Sequence, residues 1–172
     1  MSKPTPIKIN FRDNENHTTI WDSEDFSKTI GRNIIFKQDN SSCSKKGTIR
    51  GMHLQVSPFQ EKLIWCSQGA IYDVAVCVDK QSEDFGKIFD IYLDETSKQG
   101  FWIPGGYAHG FQALKDETVI CYKCTSYYAP KQERAFHALD KKIGIQWPLK
   151  DFLLSEKDQQ NPYFDKTGKN YQ

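Results

Sequence analysis

The chain contains no long hydrophobic run. Its longest clean apolar stretch is the five residues 74–78, against the roughly 20 that a membrane-spanning helix requires. It also has no dense basic stretch and almost no net charge, with 23 lysines and arginines against 22 aspartates and glutamates. These absences argue against a membrane protein and against a nucleic-acid binder held by a basic surface. The opening residues, MSKPTPIKINF, lack the apolar core of a secretory signal, so a cytoplasmic location is expected. No internal repeat or low-complexity tract occurs, and glycine and proline punctuate the chain instead of forming a linker. The five cysteines are an odd number, and two of them sit in apolar strand-like runs, the pattern of buried reduced thiols. Cys121 and Cys124 form a single CxxC with no second pair. They lie in a β-type run where positions i and i+3 face opposite sides, which argues against a redox or zinc pair.

What the chain does have is 172 residues, enough for one domain, and an aromatic content of 13% at a mean hydropathy of −0.67. Its core must therefore draw heavily on bulky rings. Short segments rich in β-branched and aromatic residues predict strands over 34–37, 48–55, 62–67, 70–78, 88–93, 100–104, 110–113 and 119–126. Helices are expected over 23–30, capped by Asp22 or Ser23, and over 154–160, capped by Ser155. The pattern is all-β with a few short helices, a sandwich or jelly roll.

Four segments concentrate unusual residues: TIRGMHLQ (48–55), Glu61-Lys62, PGGYAHGF (104–111) and VICYKCTSYYAP (119–130). In a jelly roll such strands project side chains into the barrel mouth, where ligands bind. His17 and His137, in polar surroundings, read as ordinary imidazoles. His53 and His109 differ, because each lies beside glycines that permit a bulge or a close backbone approach. Strict alternation would put Arg50 and His53 on opposite faces, so a bulge near Gly51 is expected to bring both to one site. Lys62 reads equally well as an edge-strand charge or as a site residue.

GTIRGMHLQ, EKLIWCSQGAIYDVAVCVD, SEDFGK, FWIPGGYAHGF, YKCTSYYAP and IGIQWP, in this order and spacing across residues 38–158, closely resemble the dTDP-4-dehydrorhamnose 3,5-epimerase family of cupins. The resemblance implies a cupin jelly roll (double-stranded β-helix) forming one domain over 1–172. Residues 1–22 would be an N-terminal strand or arm, and 151–172 a C-terminal segment packing near the site. It implies a homodimer that needs neither cofactor nor metal, and inversion at C3 or C5 beside the 4-keto group of a nucleotide-linked 6-deoxy sugar. The substrate would be a nucleotide sugar, with dTDP as the leading nucleotide and CDP or GDP as alternatives.

By the same resemblance His53 is the base and Asp158 its orienting carboxylate. Tyr122 is the acid on the opposite face, and Lys62, with His109, faces the enolate oxygen. Arg50 would grip a phosphate, which its planar guanidinium suits. Gln38, Asn40, Glu133 and Lys157 would bind the nucleotide sugar, and Tyr128 would stack on the base. The family's Asp-Glu-Arg-Gly motif is missing near residues 12–19, where its arginine falls on Asn14 and its glutamate on Thr19. The run FHALD (136–140) replaces the family's tryptophan-bearing segment. These departures imply an altered substrate preference. Two rival readings are a 3,4-ketoisomerase on a related nucleotide sugar and a non-catalytic cupin that binds a sugar or a metal.

Overall fold

The computed structural model describes residues 6–14 and 16–171. Residues 1–5, at the start of the expected N-terminal arm, lie outside the described residues. In chain order the elements are β1 (Ile7–Asn10), β2 (Arg12–Asn14), β3 (His17–Thr19), α1 (Ser23–Ile30), β4 (Gln38–Ser44), β5 (Thr48–Gln55), β6 (Lys62–Gln68) and β7 (Ala70–Cys77). They continue with β8 (Ile88–Asp94), β9 (Gln99–Ile103), β10 (Tyr107–Ala113), β11 (Thr118–Cys124), β12 (Glu133–Ala135), β13 (Leu153–Leu154) and α2 (Glu156–Gln159). One sheet runs β1-β9-β6-β11-β4. The other runs β12-β5-β10-β7-β8, with β13 added to β5, while β2 and β3 form a separate hairpin.

The two sheets face each other around an apolar interior. Alternate residues of β6, β7, β9, β10 and β11 point inward, among them Ile64, Ala75, Phe101, Phe111 and Ile120, and they form one contiguous cluster. The outer faces are covered as well. Met52, Leu54, Val74 and Val76 pack beneath Phe136, Trp147, Phe164 and Tyr171 from the C-terminal third. Leu63 and Trp102 pack beneath Phe26 of α1, with Phe26 and Trp102 edge to face at 5.2 Å. Strands covered on both faces lose polar alternation, which explains why β7 is buried from Ile71 through Cys77.

Helix α1 begins where expected. Asp22 is the N-cap, accepting the Glu24 and Asp25 N–H groups, and Gly31 ends the helix in the left-handed region at φ 78°. Ser155 caps α2 as expected, but the helix starts only at Glu156, because Leu153 and Leu154 pair in parallel with Thr48 and Ile49.

The strand expected over 34–37 is not formed. Ile34 and Phe36 pack in the cluster under α1, and the strand is the polar segment Gln38–Ser44 instead. Ser42 lines the cavity, and Gln38, Asn40 and Ser44 are engaged in polar contacts with Tyr128, Cys124 and Arg50, while Asp39, Ser41 and Cys43 are exposed, so neither face calls for apolar residues. Its full register on β11 holds it in place. Cys121 and Cys124 face opposite sides of β11: Cys124 is buried, and Cys121 lies beside Ser41 and Ser67 on the outer face. All five cysteines are free. No helix among the described residues is long and apolar enough to cross a membrane.

Candidate active site

The site is built on the irregularity between β5 and β10. His109 pairs with His53 and Phe111 with Arg50, so three residue steps on β5 oppose two on β10. The extra residue is the expected bulge, and it turns both Arg50 and His53 into the cavity. Glycine is required on both strands there. A Cβ on Gly51, at φ 124°, would lie 2.6 Å from the Gly110 Cα, and one on Gly110 would lie 2.6 Å from the Met52 Sδ. Gly51→Ala should therefore destabilise the protein by about 3 kcal/mol, combining backbone strain with overpacking. Urea unfolding tests this, and a loss below about 0.5 kcal/mol, the range of neutral surface changes, would contradict it.

The cavity of about 290 Å³ holds seven of the eleven residues singled out from sequence: Arg50, His53, Lys62, His109, Tyr122, Lys157 and Asp158. Ser42, Phe111, Ile120 and Ser155 complete its wall. The other four residues form a polar belt beside it. Gln38 donates to Asn40 at 2.8 Å and accepts the Tyr128 N–H at 3.1 Å. The Tyr128 hydroxyl donates to Glu133, which also receives Lys157 Nζ at 2.6 Å. Lys157 thus joins the belt to the cavity.

Two histidine–carboxylate pairs stand side by side, with both imidazoles on the six-stranded sheet and the carboxylates on α2 and β7. His53 Nε2 lies 2.6 Å from Asp158 Oδ1, and His109 Nε2 lies 2.6 Å from Asp73 Oδ1. Burial alone would raise the pKa of Asp158, but the hydrogen bond and charge of His53, the Ser155 hydroxyl and the Gly51 N–H together hold it below the usual carboxylate range. Asp73 was not found by sequence reasoning. It is fully buried, and its Oδ2 has no hydrogen-bond partner. The available signal was its position as the sole charge in the otherwise apolar run AIYDVAVCV.

Across the cavity stand side chains of the five-stranded sheet. Lys62 stands on β6, between β9 and β11, and lines the cavity, so it is not an edge charge; burial lowers its pKa, against support from Cys124, Asp73 and Glu133. Tyr122 has its pKa raised by burial and by Cys124, with Arg50 opposing, which keeps its phenol protonated near neutrality. Arg50 is steadied by the Ser44 hydroxyl and the Cys43 carbonyl. His137 accepts the Leu139 N–H and lies against Tyr163, a structural setting as expected. Among the described residues no group of three or more histidines, cysteines or acids is arranged to hold a metal ion.

A cupin-type jelly roll whose mouth gathers imidazole, phenol, ammonium and carboxylate groups has the architecture of a cupin-type epimerase, an isomerase. The family model for dTDP-4-dehydrorhamnose 3,5-epimerase matches residues 10–166. The dTDP-4-dehydrorhamnose 3,5-epimerase of Shigella flexneri is 45% identical over 134 residues, 77% of this chain and 74% of that one. Among solved structures, the dTDP-4-dehydrorhamnose 3,5-epimerase of Elizabethkingia anophelis superposes with a TM-score of 0.89 at 35% identity, covering 99% of this chain and 97% of the other. The dTDP-6-deoxy-D-glucose-3,5-epimerase of Legionella pneumophila, solved with dTDP-4-keto-L-rhamnose, gives 0.84 at 34%, covering 92% of each. The chain belongs to the dTDP-4-dehydrorhamnose 3,5-epimerase family.

Proposed function

We propose that this protein, one cupin domain over residues 1–172, inverts C3, C5 or both in a dTDP-linked 4-keto-6-deoxy sugar for deoxysugar biosynthesis, through an enolate. One observation carries the reading: His53 of the six-stranded sheet and Tyr122 of the five-stranded sheet line the same cavity. A proton alpha to the C4 ketone is weakly acidic, so its removal requires a placed base and a stabilised oxygen. His53 takes that proton while Asp158 holds the ring and favours the imidazolium. The electron pair of the C–H bond moves into the C–C bond, and the carbonyl becomes an enolate whose oxygen meets Lys62 and His109. Tyr122 then delivers its hydroxyl proton to the same carbon from the other face, and the configuration inverts.

Arg50 grips the diphosphate, Tyr128 stacks on the base, and Gln38, Asn40, Glu133 and Lys157 hold the rest of the nucleotide sugar. The Glu133–Lys157 pair and the Tyr128 hydroxyl bonded to it support this grouping. The family resemblance supports a cytoplasmic homodimer that works without a cofactor.

The test is incubation with a dTDP-4-keto-6-deoxyhexose in D2O, read by NMR. Deuterium entering C3 or C5 together with inversion is the expected result. A ketone moved to C3 would establish a ketoisomerase instead, and binding without exchange a non-catalytic cupin.

A further inference from the structure

The carboxylate of Asp158 is held at both oxygens by side chains outside the proposed catalytic set. The Ser155 hydroxyl donates to Oδ2 at 2.9 Å while accepting the Asp158 N–H at 3.1 Å. Asn161 Nδ2 donates to Oδ1 at 3.3 Å, the same oxygen that His53 reaches at 2.6 Å. Because a carboxylate can only accept, the amide of Asn161 must present its nitrogen here, which fixes its orientation. Asp158 is 3% exposed, so water cannot substitute freely for these donors.

We propose that Asn161, together with Ser155, is a positioning residue of the reaction: the two side chains clamp the Asp158 carboxylate at both oxygens and so set the aim and the basicity of the His53–Asp158 pair. The inference rests on His53 being the base. A carboxylate free to turn about its Cβ–Cγ bond would exchange its oxygens and lose the short contact to the ring, and a base displaced by a fraction of an ångström loses rate steeply. Each donor on the carboxylate also withdraws some of its basicity. With Asn161 removed, Oδ1 loses one of its donors, the carboxylate becomes more basic, and it holds the imidazolium proton more tightly. The proton then leaves only at higher pH.

The groups facing the pair are Arg50 on β5, Lys62 on β6, His109 on β10, Tyr122 on β11, Glu133 on β12 and Lys157 on α2. Substituting Asn161 leaves all of them in place. Its side chain lies on the far side of Asp158 and lines a second cavity of about 520 Å³, beside Lys157, Arg134 and Lys169. Asn161 is not among the residues that line the reaction cavity, and its side chain reaches that wall through Asp158.

The experiment follows the titration of the His53 ring by NMR in the substrate-free protein, and the pH profile of kcat/KM, for wild type, Asn161→Ala and Asn161→Asp. The midpoint in Asn161→Ala should rise by about half a pH unit, and in Asn161→Asp by more, because the new carboxylate repels Asp158 and favours the imidazolium. Turnover at the plateau should fall about tenfold with KM within about twofold, the size of effect typical of groups that orient a ligand or base. Ser155→Thr, which keeps the hydroxyl, should match wild type, while Ser155→Ala should lose turnover. An unmoved midpoint in both Asn161 variants overturns the clamp, as does a loss of turnover matched by an equal rise in KM. The ring titration needs no turnover, so it decides the clamp even if wild type neither exchanges nor inverts the sugar; that second result would sink the epimerase reading instead.

Discussion

His53→Ala should abolish inversion, with kcat falling by about 10³-fold, within the range seen when a positioned base is removed. The remaining groups cannot replace it. His109 sits beside it on β10 but is tied to Asp73, and Tyr122 belongs to the opposite sheet. The substitution should also stop deuterium from entering the carbon facing β5, because no base remains to remove its proton. The fold should survive, since Asp158 keeps the Ser155 hydroxyl and the Asn161 amide as donors. Unchanged epimerisation by this variant, measured by NMR of the product, would remove His53 from the mechanism.

Tyr122→Phe separates the two halves of the reaction. Phenylalanine keeps the ring that packs against the interior cluster, so stability should change little. Inversion should fall by about 10²-fold or more, as expected when a proton donor is lost. The base-side carbon should nevertheless go on exchanging with D2O, because the proton that His53 removes is replaced by a solvent deuteron on the imidazolium, which His53 then returns to the same face. Exchange with retention is therefore the expected signature. Inversion at the wild-type rate would show that the proton arrives from elsewhere. Loss of exchange together with inversion would assign Tyr122 a part in forming the enolate as well.

Much of the architecture was legible because local signals and burial agreed. Asp22 before an amphipathic stretch, Gly31 after it and Ser155 before α2 are caps that short-range chemistry specifies. The bulge at Gly51 could be foreseen because two polar residues three positions apart had to share a face, and a glycine stood between them. The strand Gln38–Ser44 was missed for the opposite reason. Its pairing is supplied by β11, seven residues in unbroken register, and its own composition, QDNSSCS, resembles a loop. The apolar residues just before it, Ile34 and Phe36, serve the layer under α1, and a pattern search cannot tell that use from a strand.

The site divides in the same way. The family resemblance pointed to eleven residues, and seven of them line one cavity. Asp73 and Asn161 were not identified: a lone charge in AIYDVAVCV marks a buried acid without naming its partner, and a partly exposed amide gains meaning only from what it touches. The amino-acid sequence by itself determined the all-β class and the family, since these follow from residue types in a particular order along one chain. Only the tertiary structure decided which sheet carries each group, that His53 and Tyr122 approach from opposite walls, and which donors hold Asp158. The His53–Asp158 and His109–Asp73 contacts join residues 105 and 36 positions apart, and the pairing of β5 with β13 and of β10 with β7 brings them together where local spacing cannot.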